Sequence, residues 1–98
     1  MEINKVIKDD SCRLELSGRL DTITSPQLEE ELKELPENIS ELTLDLKDLE
    51  YVSSAGLRVF LNAQKTMSSK GQMALCNVNE EIMEVLEMTG FTEILTIE

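Results

Sequence analysis

Two adjacent serines, Ser53 and Ser54, are the side chains of this sequence whose setting is best suited to chemistry. They follow a segment that is predicted as the end of a buried strand and a short turn, and a dense run of apolar residues begins directly after them. A serine at the start of a helix usually acts as a cap, because its oxygen accepts hydrogen bonds from unpaired N–H groups of the first turn. The same N–H groups and the helix dipole favour negative charge, so a phosphate on the hydroxyl would also be tolerated. The two serines alone are compatible with either role.

The sequence lacks the side chains on which most enzymes and metal sites depend. It contains no histidine, and its two cysteines, Cys12 and Cys76, lie far apart in patterns typical of strands. Histidine is the commonest general base and metal ligand, and no glycine-rich phosphate loop or Cys-x-x-Cys motif is present. We therefore expect no enzymatic activity, no catalytic residue, no metal and no cofactor. We expect both cysteines to be buried, reduced thiols of a cytoplasmic protein.

The length and charge of the chain limit its partners. Its 98 residues suffice for one domain, residues 1–98, with a single hydrophobic core. Twenty Asp and Glu against nine Lys and Arg give a net charge of −11, which argues against nucleic acid and anionic membranes as partners. A partner with a basic face is the natural complement. We see no signal peptide and no membrane-spanning run, so we expect a cytoplasmic protein that does not insert into membranes.

The hydrophobic pattern predicts the elements that position the two serines. Strands are predicted at residues 3–7, 12–17, 39–46 and 73–77, with a last short strand within residues 91–97. A turn separates the third strand from the serines, and a helix then runs from about residue 54 to 69 with its polar residues on one stripe. Gly71 is expected in the left-handed conformation after this helix.

Two further helices complete the predicted order. The first has Ser25 as its N-cap and Pro26 at its first position, and Pro36 stops it. The last is capped by Asn79 and ended by Gly90. The order of strand, strand, helix, strand, helix, strand, helix, strand predicts an α/β fold, because strand-helix-strand units require parallel neighbours. We expect one mixed β-sheet with an N-terminal edge hairpin, packed against three to four helices.

At this level of detail the sequence resembles the STAS-domain anti-sigma-factor antagonists of bacteria, also called anti-anti-sigma factors. The resemblance covers nearly the whole chain. Its specific element is the segment from Leu44 to Leu57, Leu-Asp-Leu-Lys-Asp-Leu-Glu-Tyr-Val-Ser-Ser-Ala-Gly-Leu. The segments Leu-Ser-Gly-Arg-Leu-Asp at residues 16–21 and Met-Thr-Gly-Phe at residues 88–91 support it.

The resemblance implies a switch controlled by phosphorylation. In such proteins the unphosphorylated form binds an anti-sigma factor that is also a serine-protein kinase, and so releases the sigma factor. Phosphorylation of the serine two residues before the Gly-Leu pair, here Ser54, ends the binding, and a PP2C-type serine phosphatase resets it. The implied partner-binding residues are Asp21, Ser53, Ser54, Gly56 and Arg58. Asp45 matches an aspartate that closes the central strand near the site.

Three features of the motif leave alternatives open. Ser53 stands where many family members have an aspartate, so Ser53 is the alternative phosphate acceptor. Arg58 lies one turn into the helix, where it either pairs with a phosphate or a partner residue or is a plain surface charge. The alternative function is a STAS module that acts as a ligand sensor or as a scaffold component in a signalling assembly. We expect a monomer, with a weak dimer as the alternative state.

Overall fold

The computed structural model describes residues 1–98 and contains four strands and three α-helices. The strands are β1 (Glu2–Lys8), β2 (Ser11–Leu20), β3 (Glu41–Val52) and β4 (Gln72–Cys76). The helices are α1 (Ser25–Lys33), α2 (Ser54–Ser68) and α3 (Glu80–Met88), and a 3-10 turn at Phe91–Glu93 follows. None of the helices is long and apolar enough to cross a lipid bilayer.

The strands form one mixed sheet in the order β1-β2-β3-β4. β1 and β2 are an antiparallel hairpin closed by the Lys8–Ser11 pair, with Asp9 at φ 56° in its two-residue turn. β2, β3 and β4 are parallel, and α1 and α2 form the two crossovers between them. Both crossovers step in the same direction along the sheet, so right-handed connections place both helices on one face. The predicted fold class, with its hairpin at the sheet edge, is confirmed.

A single core lies between the sheet and its helices. Along β2, Cys12, Leu14 and Leu16 are buried while Arg13 and Glu15 point to the other face and are partly exposed. This alternation is typical of a sheet that is covered on one side only. The core contains 21 buried apolar side chains drawn from every strand but β1 and from all three α-helices. β1 contributes only partly buried side chains, since it lies at the sheet edge.

β3 is longer than the sequence predicted. It continues through Val52 instead of ending at residue 46, so no turn separates it from the serines. Its pairing with β2 shifts twice, between Glu15 and Ser17 and between Gly18 and Arg19 of β2. Such bulges bend the strand and let apolar residues three apart face the same core. The period of two is lost there, which made this segment look like a turn.

The ends of two helices differ from their predictions. The N-cap of α1 is Thr24, and Ser25 is already the first helical residue, with its hydroxyl donating to the Asp21 carbonyl at 2.6 Å. α1 ends at Lys33, before Pro36. α2 ends as predicted within one residue, and Asn79 caps α3 by accepting a hydrogen bond from Ile82 N–H at 2.9 Å.

Gly71 is required for a reason that the sequence did not show. It does not have a positive φ; instead, a Cβ at this position would lie 1.8 Å from the carbonyl oxygen of Ser40. The backbone approaches closely here because Gln72 N–H donates to that same oxygen at 2.8 Å as β4 begins to pair with β3. Gly90 does have the predicted left-handed conformation, with φ 79°. The predicted last strand is reduced to one bridge between Leu75 and Ile97.

Candidate functional site

Ser53 is the N-cap of α2 and joins the end of the sheet to the helix. Its backbone is extended, and its N–H donates to the carbonyl of Leu20 at 2.9 Å. Its hydroxyl oxygen accepts a hydrogen bond from Gly56 N–H at 3.4 Å, and its carbonyl accepts one from Leu57 N–H at 2.9 Å. Either serine could have been the N-cap on the basis of sequence, and in the structure Ser53 is the N-cap.

Ser54 is the first helical residue and is exposed. Its hydroxyl makes no hydrogen bond within the protein, and neither its N–H nor that of Ala55 has a partner in the chain. Unpaired donors of this kind at a helix start interact favourably with an anion. Ser54 is thus the serine with a free hydroxyl and with donors nearby that would accommodate a phosphate.

Asp21 organises the loop that lies beside the start of α2. Its carboxylate accepts hydrogen bonds from the N–H groups of Ile23 and Thr24, both at 3.0 Å. The Thr24 hydroxyl accepts from Asp21 N–H at 2.9 Å and donates to the Arg19 carbonyl at 2.7 Å. The bond from Thr24 N–H is the main reason why the pKa of Asp21 lies below its ordinary value. Asp21 therefore shapes the loop, and only its outer carboxylate oxygen makes no hydrogen bond within it.

We call the surface formed by Asp21, Ile23, Ser54 and Arg58 the α2 rim. The hydrogen bond between Ser53 and Leu20 joins its two parts, because Asp21 directly follows Leu20. Ile23 is 87% exposed although it is a large apolar residue. Arg58 is exposed and forms no ion pair. The rim thus combines a free hydroxyl, an apolar side chain and an unpaired cation.

Gly56, which was expected among the partner-binding residues, is buried in the first turn of α2. A Cβ on this residue would lie 2.7 Å from Cγ of Leu20 and 2.9 Å from Cγ2 of Val52. Gly56 lets the helix start approach the ends of β2 and β3, which fixes the position of Ser54.

We expect Gly56→Ala to lower the free energy of unfolding. Overpacking a tight site costs about 1 to 3 kcal/mol, whereas alanine gains about 1 kcal/mol in helix propensity, so the net loss is at most about 2 kcal/mol. Urea denaturation of the variant measures it. Ser54→Ala, two residues earlier and exposed, is the control and should stay within about 0.5 kcal/mol of the natural protein. Equal stability of all three proteins would show that the helix start is not closely packed.

Asp45 was expected to close the central strand near the site. It neither ends β3 nor lies near the α2 rim. It is in the middle of β3, eight residues before Ser53, which corresponds to about 20 Å along a bulged strand. Its side chain is 6% exposed on the face of the sheet that carries no crossover helix. It accepts hydrogen bonds from Arg13 Nη2 at 2.5 Å and from Asn77 Nδ2 and Lys47 N–H, both at 3.0 Å. Asp45 therefore ties β2, β3 and the end of β4 together.

The hydrogen bonds to Asp45 make its charge a source of stability. Burial alone would raise the pKa of this carboxyl group, but the donors of Asn77, Lys47 and Arg13 together lower it below its ordinary value of 3.8. Because the folded pKa is the lower one, the contribution is complete above about pH 4 and is lost as the pH falls through the folded pKa.

We expect Asp45→Asn to be less stable than the natural protein by about 1 to 3 kcal/mol at pH 7, since it weakens charged hydrogen bonds. The difference should shrink below pH 4, where the natural protein loses the same interaction. Urea denaturation across this pH range measures it. The control is Asp48→Asn, which changes an exposed carboxylate of the same strand that makes no hydrogen bond. A stability difference that did not depend on pH would contradict this role of the charge.

Comparison with known proteins identifies the family. The STAS domain model matches residues 2–98. The anti-sigma-B factor antagonist of Bacillus subtilis is 31% identical over 100 residues, which cover 99% of this chain and 92% of that protein. The anti-sigma F factor antagonist of Paenibacillus polymyxa is 35% identical over 85 residues, which cover 84% of this chain and 73% of that protein.

The fold is also found among solved structures. The crystal structure of an anti-sigma factor antagonist from Mycobacterium paratuberculosis superimposes with a TM-score of 0.88, covering 98% of this chain and 83% of that chain. The two sequences are 18% identical, so this likeness concerns the fold. The sheet with its N-terminal hairpin and the helices on it is therefore shared architecture.

Proposed function

The chain belongs to the STAS domain family, and from this premise we propose that it is an anti-sigma-factor antagonist controlled by phosphorylation of Ser54. In the unphosphorylated state it binds an anti-sigma factor, and the sigma factor is released. The same anti-sigma factor is the serine-protein kinase that modifies Ser54, and a PP2C-type phosphatase removes the phosphate. This exchange takes place in the cytoplasm, where sigma factors act. The relatives named anti-sigma-B and anti-sigma F factor antagonists support the proposal.

The observation that carries the proposal is the free hydroxyl of Ser54. A kinase must reach the acceptor oxygen from outside, and Ser54 is exposed with no internal hydrogen bond to break. Ser53 is half-buried, and its oxygen already accepts the hydrogen bond of Gly56. Phosphorylation of Ser53 would modify the oxygen that caps α2, whereas phosphorylation of Ser54 would leave that oxygen unchanged. Ser54 is therefore the acceptor, and Ser53 supports its position.

The phosphate acts on a neighbouring partner rather than at long range. It adds about −1.5 to −2 charges to a protein whose net charge is already −11, and salt screens charges beyond about 8 to 10 Å. Two charges about 6 Å from a partner carboxylate, at an effective dielectric constant of about 40, repel it by roughly 2 to 3 kcal/mol. Because 1.4 kcal/mol is a factor of ten, binding weakens about a hundredfold.

The fold does not need to change for this switch to work. The unpaired N–H groups of Ser54 and Ala55 and the positive end of the α2 dipole favour the anion where it is added. Arg58 follows Ser54 by one helical turn and has no other ion partner, so its guanidinium is available to the phosphate at the i, i+4 spacing. These groups stabilise the modified state without rearranging the sheet.

The rest of the α2 rim supplies the contacts that hold the partner. Ile23 presents an apolar side chain, and its N–H is fixed by the Asp21 carboxylate, so little freedom is lost when it is covered. The buried centre of a protein–protein interface is more apolar than its rim, so Ile23 suits the centre of the contact. Asp21 acts through the loop it shapes and through its outer carboxylate oxygen.

The test is incubation of the purified chain with an anti-sigma kinase and ATP, followed by intact-mass analysis and by calorimetric titration of the two proteins. We expect a complex in the absence of ATP, a mass gain of one phosphate in its presence, and loss of the complex with the modified chain. A kinase that neither binds nor modifies the chain, tested across the anti-sigma kinases of the source genome, would contradict the proposal.

A further inference from the structure

β1 leaves one side of the sheet open for pairing. It is an edge strand of seven residues without proline, and no backbone hydrogen bond is made on its outer side. Two of its apolar side chains are exposed, Val6 at 49% and Ile7 at 44%. An exposed, extended edge of this kind is a template for a further strand. The residues of the α2 rim lie on α2 and in the loop after β2, so the β1 edge is a separate surface.

The hairpin determines which backbone groups of β1 point outward. In a two-residue hairpin the closing pair, here Lys8 and Ser11, exchanges both of its backbone hydrogen bonds. The pairing of β1 with β2 continues without a shift to Glu2. Alternate residues therefore face β2, and the N–H and C=O groups of Ile3, Lys5 and Ile7 face the open side.

One antiparallel register satisfies all of these open groups in a second copy of the strand. With Lys5 on a two-fold axis, Ile3 of each copy faces Ile7 of the other, and Lys5 faces Lys5. Three facing pairs with two hydrogen bonds each make six backbone hydrogen bonds. This register also gives the full overlap of β1 with itself. Registers displaced by two residues would leave some of these groups unpaired.

The side chains of β1 are complementary in this same register. On the face away from the helices, Glu2 of each copy lies opposite Lys8 of the other, so two ion pairs form across the interface. On the helix face, Ile3 lies opposite Ile7, so the exposed Ile7 gains an apolar neighbour. The two Lys5 side chains meet at the axis, but each is paired with Glu31 of its own α1 at 2.7 Å, which offsets their repulsion.

We infer that β1 is a self-association surface through which two copies of this chain pair in antiparallel fashion into a continuous eight-stranded sheet. The partner is a second copy, because the strand is complementary to itself in charge and in hydrogen bonding. The interface is isologous and has two-fold symmetry, so the assembly is a closed dimer. The net charge of −11 on each copy opposes association and makes the dimer weak at low ionic strength.

The dimer leaves both α2 rims accessible. Two strands, β2 and β3, separate β1 from β4 across the sheet, and Ser54 follows the far end of β3. Because the two β1 strands are antiparallel, the two Ser54 residues lie toward opposite ends of the joined sheet. The dimer therefore presents two binding surfaces that face away from each other, and this arrangement does not depend on the identity of the rim's partner.

The test is sedimentation analysis at protein concentrations up to the millimolar range. The natural protein is compared with variants in which the charge of Glu2, of Lys8 or of both is reversed. Glu2→Lys places two lysines opposite each other, and Lys8→Glu places two glutamates opposite each other. We expect each single variant to raise the dimer dissociation constant about tenfold, because two pairs change from attraction to repulsion. The double variant Glu2→Lys with Lys8→Glu restores both pairs and should restore the dissociation constant.

The net charges of the variants distinguish repulsion between the facing side chains from repulsion between the two chains as a whole. Glu2→Lys makes the chain less negative by two and Lys8→Glu makes it more negative by two, so general repulsion alone would strengthen the first dimer and weaken the second. The register predicts that both weaken. Opposite effects of the two single variants, no recovery in the double variant, or a natural protein that stays monomeric throughout the range would each overturn the inference.

Discussion

A Ser54→Ala protein is expected to take up no phosphate from the proposed anti-sigma kinase while it keeps its fold and its affinity for that kinase. Ser54 is exposed and its hydroxyl makes no hydrogen bond, so alanine removes the acceptor without disturbing the cap of α2. The mass spectrum should show at least a hundredfold less phosphorylated chain than the natural protein shows, because the half-buried Ser53 is not an accessible substitute. Intact-mass analysis after incubation with kinase and ATP measures this.

Ser53→Ala is the matched control for this experiment. It removes a capping hydrogen bond of 3.4 Å and should cost about 1 kcal/mol in the free energy of unfolding. It leaves the Ser54 hydroxyl in place, so phosphate uptake should persist. If Ser54→Ala still gained a phosphate and Ser53→Ala did not, Ser53 would be the acceptor, and the capping geometry would have to open before the kinase acts.

Negative charge at position 54 is expected to weaken partner binding, and two charges should weaken it more than one. Ser54→Asp adds one charge, which at about 6 Å from a partner carboxylate costs roughly 1.4 kcal/mol, or about tenfold in affinity. Phosphoserine at the same position costs about a hundredfold by the same reasoning. Ser54→Ala should change affinity little. Calorimetric titration with the anti-sigma factor measures all three proteins.

Ser54→Asn separates charge from size in that series. Asparagine has the shape of aspartate without its charge, so its affinity should be close to that of Ser54→Ala. If asparagine and aspartate weakened binding equally, bulk at the helix start would explain the switch. If neither changed the affinity, the α2 rim would not be the contact surface.

The sequence predicts the features of the site that depend on neighbouring residues in the chain. It misses those that depend on contacts between distant segments. Capping residues have short-range signals, so the pair of serines marked the start of α2 and Asn79 marked the start of α3. The choice between Ser53 and Ser54 as the cap depends on where β3 ends. That end is fixed by the hydrogen bond of Ser53 to Leu20 of another strand, which no local pattern reveals.

Gly56 and Asp45 show why a motif does not assign roles by itself. Both belong to the segment that identifies the family, and both were expected at or near the partner surface. Gly56 is instead buried against Leu20 and Val52, and Asp45 holds Arg13 and Asn77 on the opposite face of the sheet. Their partners come from other parts of the chain. Only the tertiary contacts distinguish a residue that builds the site from one that meets the partner.

The bulges of β3 explain why the predicted end of this strand was wrong. Leu46, Leu49 and Val52 are spaced by three, yet all are buried in the same core. Two shifts in the pairing with β2 make this possible, and they are a property of the pair of strands rather than of one sequence segment. As a consequence, the strand reaches directly to Ser53, the N-cap of α2.

The central claim is that the phosphate blocks a contact at the α2 rim and leaves the fold unchanged. The most direct measurement is a comparison of the amide ¹H–¹⁵N spectra of the chain before and after phosphorylation of Ser54. We predict shifts confined to the first turns of α2 and the loop from Asp21 to Thr24, with the amides of β1 and β4 unmoved. Shifts spread across all four strands would show that phosphorylation rearranges the sheet and would contradict the account.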